Sequence, residues 1–452
     1  MVKGLPKASI LTFGCQMNEH DSRRMGALLE NIGYQIIPFD NDGDRDSDVV
    51  LINTCSVREK PQEKLSHVLT HLKNAKKINP KMSIIVTGCV AQQRGRQIIE
   101  EFPAVDAVIG PDGEDRLVEY LREAKSGGSI VDTELVGGFS YKETLVPKYS
   151  ANSAHAYITV VKGCDSFCSY CIVPYVRGGE RSRTTNEVVE DTEKLISKGI
   201  TSITLLGQNI ARFGRENKED LPTLLRSVSK VKGLKRLSFL TSHPKDFSSE
   251  IIKCYEDIEN LCPSLHLPAQ HGSNKILKAM NRGYTREEYL KIVDDLKRSK
   301  IWDSLSLTTD IILGFPEEDE KDFELLLDLL QEAQFDNSYS FVYSPRPGTV
   351  AYEKYGADYG KGIRKRFTER LNEYQVKQKE MALFKNKRLE GKVIEALVEG
   401  SSEKDPNKLT ARTSTGKVVN FLSSEKIFPG SYAMVKIVRA HPTHLSGELV
   451  NA

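Results

Sequence analysis

Cys164, Cys168 and Cys171 stand in the run Gly163-Cys164-Asp165-Ser166-Phe167-Cys168-Ser169-Tyr170-Cys171, a C-x3-C-x2-C spacing. Three thiolates are one short of the closed four-ligand shell of a structural zinc. They suit a cube of four irons and four sulfides in which one iron keeps an open position, where a small molecule can be held and cleaved. Two blander readings compete: half a zinc site completed by a distant ligand, or three thiols that merely share a loop. Zinc ribbons use paired C-x2-C units, and the chain has no second such pair. The segment is also polar and glycine-bracketed, unlike ordinary core.

Three further cysteines, Cys15, Cys55 and Cys89, lie far apart in the first hundred or so residues, yet each directly follows an apolar, β-branched stretch. These are Ile10-Leu11-Thr12-Phe13-Gly14, Val50-Leu51-Ile52-Asn53-Thr54 and Ile84-Ile85-Val86-Thr87-Gly88. In a parallel sheet all strand C-termini share one edge, where such folds place their ligands. The pattern therefore predicts a second three-thiolate site; three separately buried thiols is the competing reading. Cys254 and Cys262 sit beside a helical pattern and before Pro263, which suits structural thiols.

The elements that must position these residues form an α/β chain in three parts, spanning 1–140, 150–382 and 383–449. In the first, strands at 8–13, 34–38, 49–53, 83–87 and 107–109 alternate with helices at 21–31, 60–79 and 92–102, predicting a parallel sheet covered on both faces. Asp21 reads as the N-cap of the first helix. Residues 127–153 read as a linker. Six more strand–helix units follow, with strands at 157–161, 202–206, 236–240, 264–267, 306–312 and 337–343, predicting a partial (β/α)6 parallel barrel. Its first strand feeds the Cys164 loop at the C-terminal rim. One long charged helix at 364–387 leads into about sixty residues of short strands, a small β-barrel of the OB-like kind.

The chain has 452 residues and a formal net charge of only +2, with a mean hydropathy of -0.40. Any nucleic-acid contact must therefore come from local basic surfaces, for which 361–370 and 385–388 are candidates, a solvated helix face being the alternative. No apolar stretch approaches the roughly 18 residues of a membrane span. Absence of a signal-peptide core at Met1–Pro6 predicts a cytoplasmic protein, and thiols there serve as metal ligands or nucleophiles more often than as disulfides.

The run from Cys164 to Cys171, followed by Ile172-Val173-Pro174-Tyr175 and Arg177-Gly178-Gly179-Glu180-Arg181-Ser182-Arg183, resembles the radical S-adenosylmethionine methylthiotransferases. The resemblance extends through Thr12–Ser22, Asn53–Glu59, Gly88–Gln92, Leu205–Asn209, His266–Gln270, Lys278–Arg282 and Thr309–Pro316, and the tail is similar to a TRAM domain. The words after Cys15 and Cys55 are most like the branch acting on tRNA N6-isopentenyladenosine. Relatives acting on threonylcarbamoyladenosine in tRNA, or on a ribosomal-protein side chain, are the nearer alternatives; a non-catalytic iron–sulfur or zinc RNA-binding protein is the more distant one.

The resemblance implies a radical-SAM barrel, two [4Fe–4S] clusters, and two S-adenosylmethionine molecules per turnover, one giving methyl to sulfur and one giving the radical. It implies Cys164, Cys168 and Cys171 as the catalytic cluster's ligands, and Cys15, Cys55 and Cys89 as those of an auxiliary cluster that supplies or relays sulfur. The product is a methylthio group at C2 of the adenine beside the anticodon. That carbon has no acidic proton, so a radical route is required, with the base turned out of its stack. The expected partners are tRNA and an electron donor such as flavodoxin or ferredoxin, with no membrane and a monomeric chain.

Gln208, Asn209, Gln270, His271, Ser273, Asp310 and Gly314 stand at expected strand ends and are candidate cofactor or base contacts, a structural turn being the alternative for Gln208 and Asn209. Arg177, Arg181 and Arg183 are candidates for a cofactor carboxylate or an RNA phosphate. Glu317, His271 and Thr184 replace the glycine, serine and proline usual in the family, which puts cofactor-loop details in question.

Overall fold

The computed structural model describes residues 5–40, 44–56, 60–138, 153–356, 359, 362, 364–423 and 426–450. The chain divides into two compact units. The first holds 1–148, 161–167 and 171–182, and the second holds 149–160, 168–170 and 183–452.

In the first unit six strands form a wholly parallel sheet: β1 (Lys7–Phe13), β2 (Gln35–Ile37), β3 (Val49–Thr54), β4 (Ser83–Gly88), β5 (Ala107–Ile109) and β6 (Ile130–Asp132), in the order β2-β1-β3-β4-β5-β6. β3 and β4 are buried along their whole length, which is why they read as unbroken apolar, β-branched runs rather than alternating ones. Their side chains divide between two cores. Leu51 and Ile85 pack with Met25, Leu29 and Leu117, and Val50, Ile52, Ile84 and Val86 pack with Leu65, Leu69 and Leu72.

Three sequence expectations change here. β6 lies inside the segment read as a linker, of which 139–152 falls outside the described residues. The first helix runs Gln16–Asn31, so Cys15 rather than Asp21 occupies its N-cap. The helix expected from Gln92 is two pieces, Cys89–Arg94 and Arg96–Glu101, hinged at Gly95, and it starts at Cys89 itself.

In the second unit the strands His155–Thr159, Ser202–Leu206 and Arg236–Leu240 pair in parallel, as do Ser264–His266, Ser306–Leu313 and Asn337–Val342. A parallel bridge between Leu237 and Leu261 joins the two trios. The six strands follow chain order, the arrangement of an open (β/α)6 barrel. The helix Arg364–Lys387 packs along the last strand.

Five strands, Val393–Ser401, Lys408–Thr413, Val418–Leu422, Tyr432–Ala440 and Leu445–Leu449, close into a small barrel around Val398, Val419, Phe421, Val435 and Ile437. It is fixed to the rest of its unit by Arg236, which donates to the carbonyls of Arg412 and Glu395 at 2.8 and 3.0 Å, and by Tyr432, whose ring lies 4.8 Å from both Lys235 Nζ and the Arg236 guanidinium. Asp336 further pairs with Lys385 and with Lys417. Among the described residues no helix is long and apolar enough to cross a membrane.

Candidate functional site

In the first unit the three isolated cysteines leave neighbouring strands, β1, β3 and β4, at the same sheet edge. Cys15 caps the helix Gln16–Asn31, Cys55 follows β3, and Cys89 opens the helix after β4. The close passage of the chains depends on Gly88: its φ is +90°, and a Cβ there would lie 2.5 Å from the carbonyl oxygen of Thr54, a conformation and a distance only glycine tolerates. Asn18 and Asn53 tie the strand ends together. Asn18 Nδ2 donates to Asn53 Oδ1 at 2.9 Å, and Asn53 Nδ2 donates to the Asn18 carbonyl at 2.9 Å.

The electrostatics favour a thiolate at Cys15. A hydrogen bond with the Cys55 thiol lowers the Cys15 pKa to about 6, helped by Arg177 and the amides of Asn18 and Met17 and opposed by the atoms crowded around it. Helix N-termini stabilise thiolates in this way. Cys89 is more deeply buried, and burial raises its thiol, with Arg177 pulling the other way. Arg177 donates from Nε to Cys89 Sγ at 3.3 Å and from Nη2 to Asp21 Oδ2 at 2.9 Å. Among the described residues its buried Nη1 has no hydrogen-bond partner. Burial works against its charge, but Cys89, Asp21 and Cys15 hold the guanidinium firmly protonated. Arg177 thus faces the thiols rather than standing free for an RNA phosphate.

Among the described residues no three His, Cys, Asp or Glu side chains stand close enough to share a single metal ion. A cubane places its thiolates on separate irons and needs a wider set. Three converging cysteines, a thiol of lowered pKa and a buried guanidinium with a spare donor fit such an anionic group.

The Cys164–Cys171 loop is anchored from each unit separately. In the first unit Gly163 has φ +80°, and a Cβ on it would meet the Gly179 carbonyl oxygen at 2.0 Å; Cys164 N donates to the Gly178 carbonyl at 3.2 Å. Asp165 accepts from the Glu180 amide at 3.1 Å. Arg181, a candidate cofactor contact from sequence, spends its terminal nitrogens on Asp112 and on the carbonyls of Val136, Gly138 and Arg177. In the second unit Cys168 Sγ accepts from Arg282 Nη1 at 3.2 Å, and Ser169 is held by the carbonyls of Met280 and Ala279. Arg282 is buried and also donates to the Pro268 carbonyl at 2.9 Å and to Tyr284 Oη at 3.1 Å.

Of the remaining candidates, Asp310 lies within the strand Ser306–Leu313 and the others follow barrel strands. Gln270 sits at φ +67°, its backbone pairs with Asp310 and Ile312, and its Oε1 is buried without a partner. Asp310 faces His266 Nε2 at 3.3 Å. Asn209 is buried, donating to Asp246 at 2.8 Å and accepting from the His243 amide at 2.9 Å. Gln208 precedes it, half-buried. Ser273 donates to Asp322 at 2.6 Å. The Gly314 amide donates to Glu318 at 2.5 Å, whose carboxylate also faces the buried His271 at 3.4 Å.

Glu317 holds φ +75°, a left-handed conformation that glycine would adopt without strain. Thr184, replacing proline, caps the helix Thr185–Ser197 together with Glu187. His243 was missed from sequence: it follows the strand Arg236–Leu240, its Nδ1 accepts from the Lys245 amide, and its Nε2 is buried and unpartnered. Burial, then the charges of Arg282, Lys245 and Arg212, hold it neutral at a pKa of about 2. Its signal was a Thr-Ser-His-Pro word at a strand end. Cys254 and Cys262 are buried thiols, with burial raising both, Cys262 to about 11.

Comparison with known proteins decides the family. The chain is 42% identical over 445 residues to the tRNA-2-methylthio-N(6)-dimethylallyladenosine synthase of Clostridium perfringens strain SM101, covering 98% of this chain and 97% of the relative. It is 40% identical over 457 residues to that of Moorella thermoacetica, covering all of both. The chain belongs to this synthase family. Family models match at 7–110 (Uncharacterized protein family UPF0004), 158–330 (Radical SAM superfamily) and 387–450 (TRAM domain).

The radical SAM match supports S-adenosylmethionine and an iron–sulfur cluster as cofactors. Two solved structures share the fold. The radical S-adenosylmethionine methyltransferase TsrM from Kitasatospora setae has a TM-score of 0.57 at 14% identity, over 76% of this chain and 74% of that one. The cobalamin-dependent enzyme OxsB has a TM-score of 0.51 at 14% identity, over 81% and 56%.

Proposed function

We propose that this chain inserts a methylthio group at C2 of N6-isopentenyladenosine beside the anticodon of tRNA, using two [4Fe–4S] clusters and two S-adenosylmethionine molecules. The observation that carries the reading is the convergence of Cys15, Cys55 and Cys89, from three strand ends of one parallel sheet, on the buried guanidinium of Arg177. A chain with only one cluster would have no use for it. Cys15, Cys55 and Cys89 then hold the auxiliary cluster, and Cys164, Cys168 and Cys171 the catalytic one.

When bound, the catalytic cluster and S-adenosylmethionine supply the radical that an unactivated aromatic carbon requires. The chain's own residues bind and orient. Arg282 donates to Cys168 Sγ and fixes the loop to the Pro268 carbonyl. Gln270 and His243, each with a buried polar atom lacking a protein partner, are left to hold polar atoms of the cofactor or the base, with Gln208, Ser273, Asp310 and Gly314 shaping the same rim. Arg181 pairs with Lys162 just before the cysteine loop and bonds Asp112 and the Arg177 carbonyl.

Arg370 and Lys385 of the two basic runs are engaged with Glu318, Glu320 and Asp336, and Lys361 lies outside the described residues. Exposed Arg364, Lys365, Arg366, Lys387 and Arg388 are left to meet RNA phosphates, together with the small barrel. The three parts are 1–140, 150–382 and 383–449. The chain works as a cytoplasmic monomer fed by a small electron carrier such as flavodoxin or ferredoxin.

Anaerobically reconstituted protein should carry about eight irons and no zinc; four irons, or stoichiometric zinc, overturns the two-cluster reading. Mass spectrometry of tRNA nucleosides from cells lacking the protein should show the methylthio group gone and isopentenyladenosine in its place. Normal methylthio nucleoside would refute the substrate.

A further inference from the structure

We infer that Arg177 is the positioning residue that sets the charge, and with it the redox poise, of the cluster held by Cys15, Cys55 and Cys89; the inference rests on the two-cluster reading above. Arg177 Nε is bonded to one ligand sulfur at 3.3 Å, Nη2 to Asp21 at 2.9 Å, and Nη1 is buried without a protein partner. A buried guanidinium leaves a donor unpaired only at a cost of several kcal/mol unless a ligand takes it up. The neighbouring sulfurs say what that ligand is. A four-iron core of charge 2+ on three thiolates carries a net negative charge, and any anionic sulfur on its open iron adds to it.

Among the described residues several charges surround the site, His20 beside Asp21 included. Arg177 and Lys162 are buried cations, Asp21 is a buried anion, and Glu114 and Arg24 lie behind them, with Arg24 paired to Asp115 at 2.9 Å. Asp21 is held ionised chiefly by Arg177, against its burial. Arg177 and Asp21 therefore act on the cluster with opposite signs from adjoining positions. A guanidinium stabilises the added electron; a carboxylate destabilises it. In a low-dielectric site both effects are large.

The test uses the full chain with Cys164, Cys168 and Cys171 changed to alanine, so that only the second set of cysteines can hold iron. The readouts are iron content and an EPR-monitored redox titration. About four irons in this background is the control for the reading itself; no iron with Arg177 intact overturns that reading and leaves nothing for Arg177 to tune. With iron present, Arg177→Gln should make the cluster harder to reduce by about tenfold in the reduction equilibrium, equal to about 59 mV for one electron. Arg177→Lys should recover most of that shift.

Asp21→Asn should move the potential the other way, upward, and does not depend on the arginine variant folding. An unchanged potential in Arg177→Gln, or a shift of the same sign in Arg177→Gln and Asp21→Asn, overturns the inference. If Arg177→Gln fails to load iron, the sign of the Asp21→Asn shift decides: upward supports it, and none or downward overturns it.

Discussion

Among the described residues two buried arginines touch cysteine sulfur, and they are held in opposite ways. Arg177, in the first unit, has a carboxylate partner in Asp21 and a spare Nη1. Arg282, in the second, bonds Cys168, the Pro268 carbonyl, Tyr284 and Tyr170, and among the described residues has no carboxylate partner. Its acidic neighbours are a thiol and two phenols, which together keep it charged against its burial. A buried cation without a carboxylate beside it is costly, and the fold meets that cost by placing acceptors all around the guanidinium. Arg282 is thus a lock whose every bond is made by the fold, while Arg177 is balanced by Asp21 and keeps a donor in reserve. The first arrangement fixes the shape of a loop; the second adjusts a charge.

The sharpest break in this comparison comes from the cysteines themselves. Cys89→Ala should abolish methylthio product while sparing cleavage of S-adenosylmethionine to 5′-deoxyadenosine; Cys168→Ala should abolish both. Chromatography of the two products from each variant checks this, and loss of cleavage in Cys89→Ala would merge the two sites into one.

Next in size, Arg282→Met should destabilise the apoprotein by about 3 kcal/mol, because it strips the Pro268 carbonyl and the Tyr284 hydroxyl of a buried donor. A thermal melt unchanged from the parent would show that Arg282 is no lock.

Glu114 gives a pH test of the first unit. Its carboxyl is buried with both oxygens unpartnered, and burial and then the Asp21 charge push its pKa up to about 8, with Lys162, Arg177 and Arg24 only partly offsetting them. The folded protein therefore holds a proton that the unfolded chain releases above its ordinary carboxylate range of about 4.3. Stability is lost as pH rises from there toward about 8, on the order of 2 kcal/mol between pH 6 and 8. Glu114→Gln should flatten that slope in melts across the same range; an unaltered slope would place the charge elsewhere.

The smallest effect is Tyr284→Phe, which removes the hydroxyl that donates to the Ala269 carbonyl at 2.7 Å and accepts from Arg282. It should cost about 1–2 kcal/mol without altering the iron content of either site.

Much of the fold was legible. The long helix Arg364–Lys387 and the strands of both parallel sheets follow from apolar runs of the right length between turn residues. β6 was not, because three residues between glycines and a loop carry no periodicity. The first helix was started too late because Asp21 has the chemistry of an N-cap; in the fold it is buried within the helix and its carboxylate faces Arg177. In the site, the strand-end rule pointed to Cys15, Cys55 and Cys89, but the same rule was not applied to His243 after the strand Arg236–Leu240.

The sequence by itself determined the ligand chemistry. Thiol spacing and strand-end position are local properties, written in runs of a few residues, and they were enough to mark two sets of three cysteines; the family came from the resemblance of the longer words around them. What only the tertiary structure decided was the charge around them. The Arg177–Cys89 contact joins residues 88 positions apart and the Arg177–Asp21 pair residues 156 apart. An arginine looks the same in a sequence whether it meets phosphate or sulfur. Its role is set by which groups lie within about 4 Å in a low-dielectric interior, and folding alone chooses those.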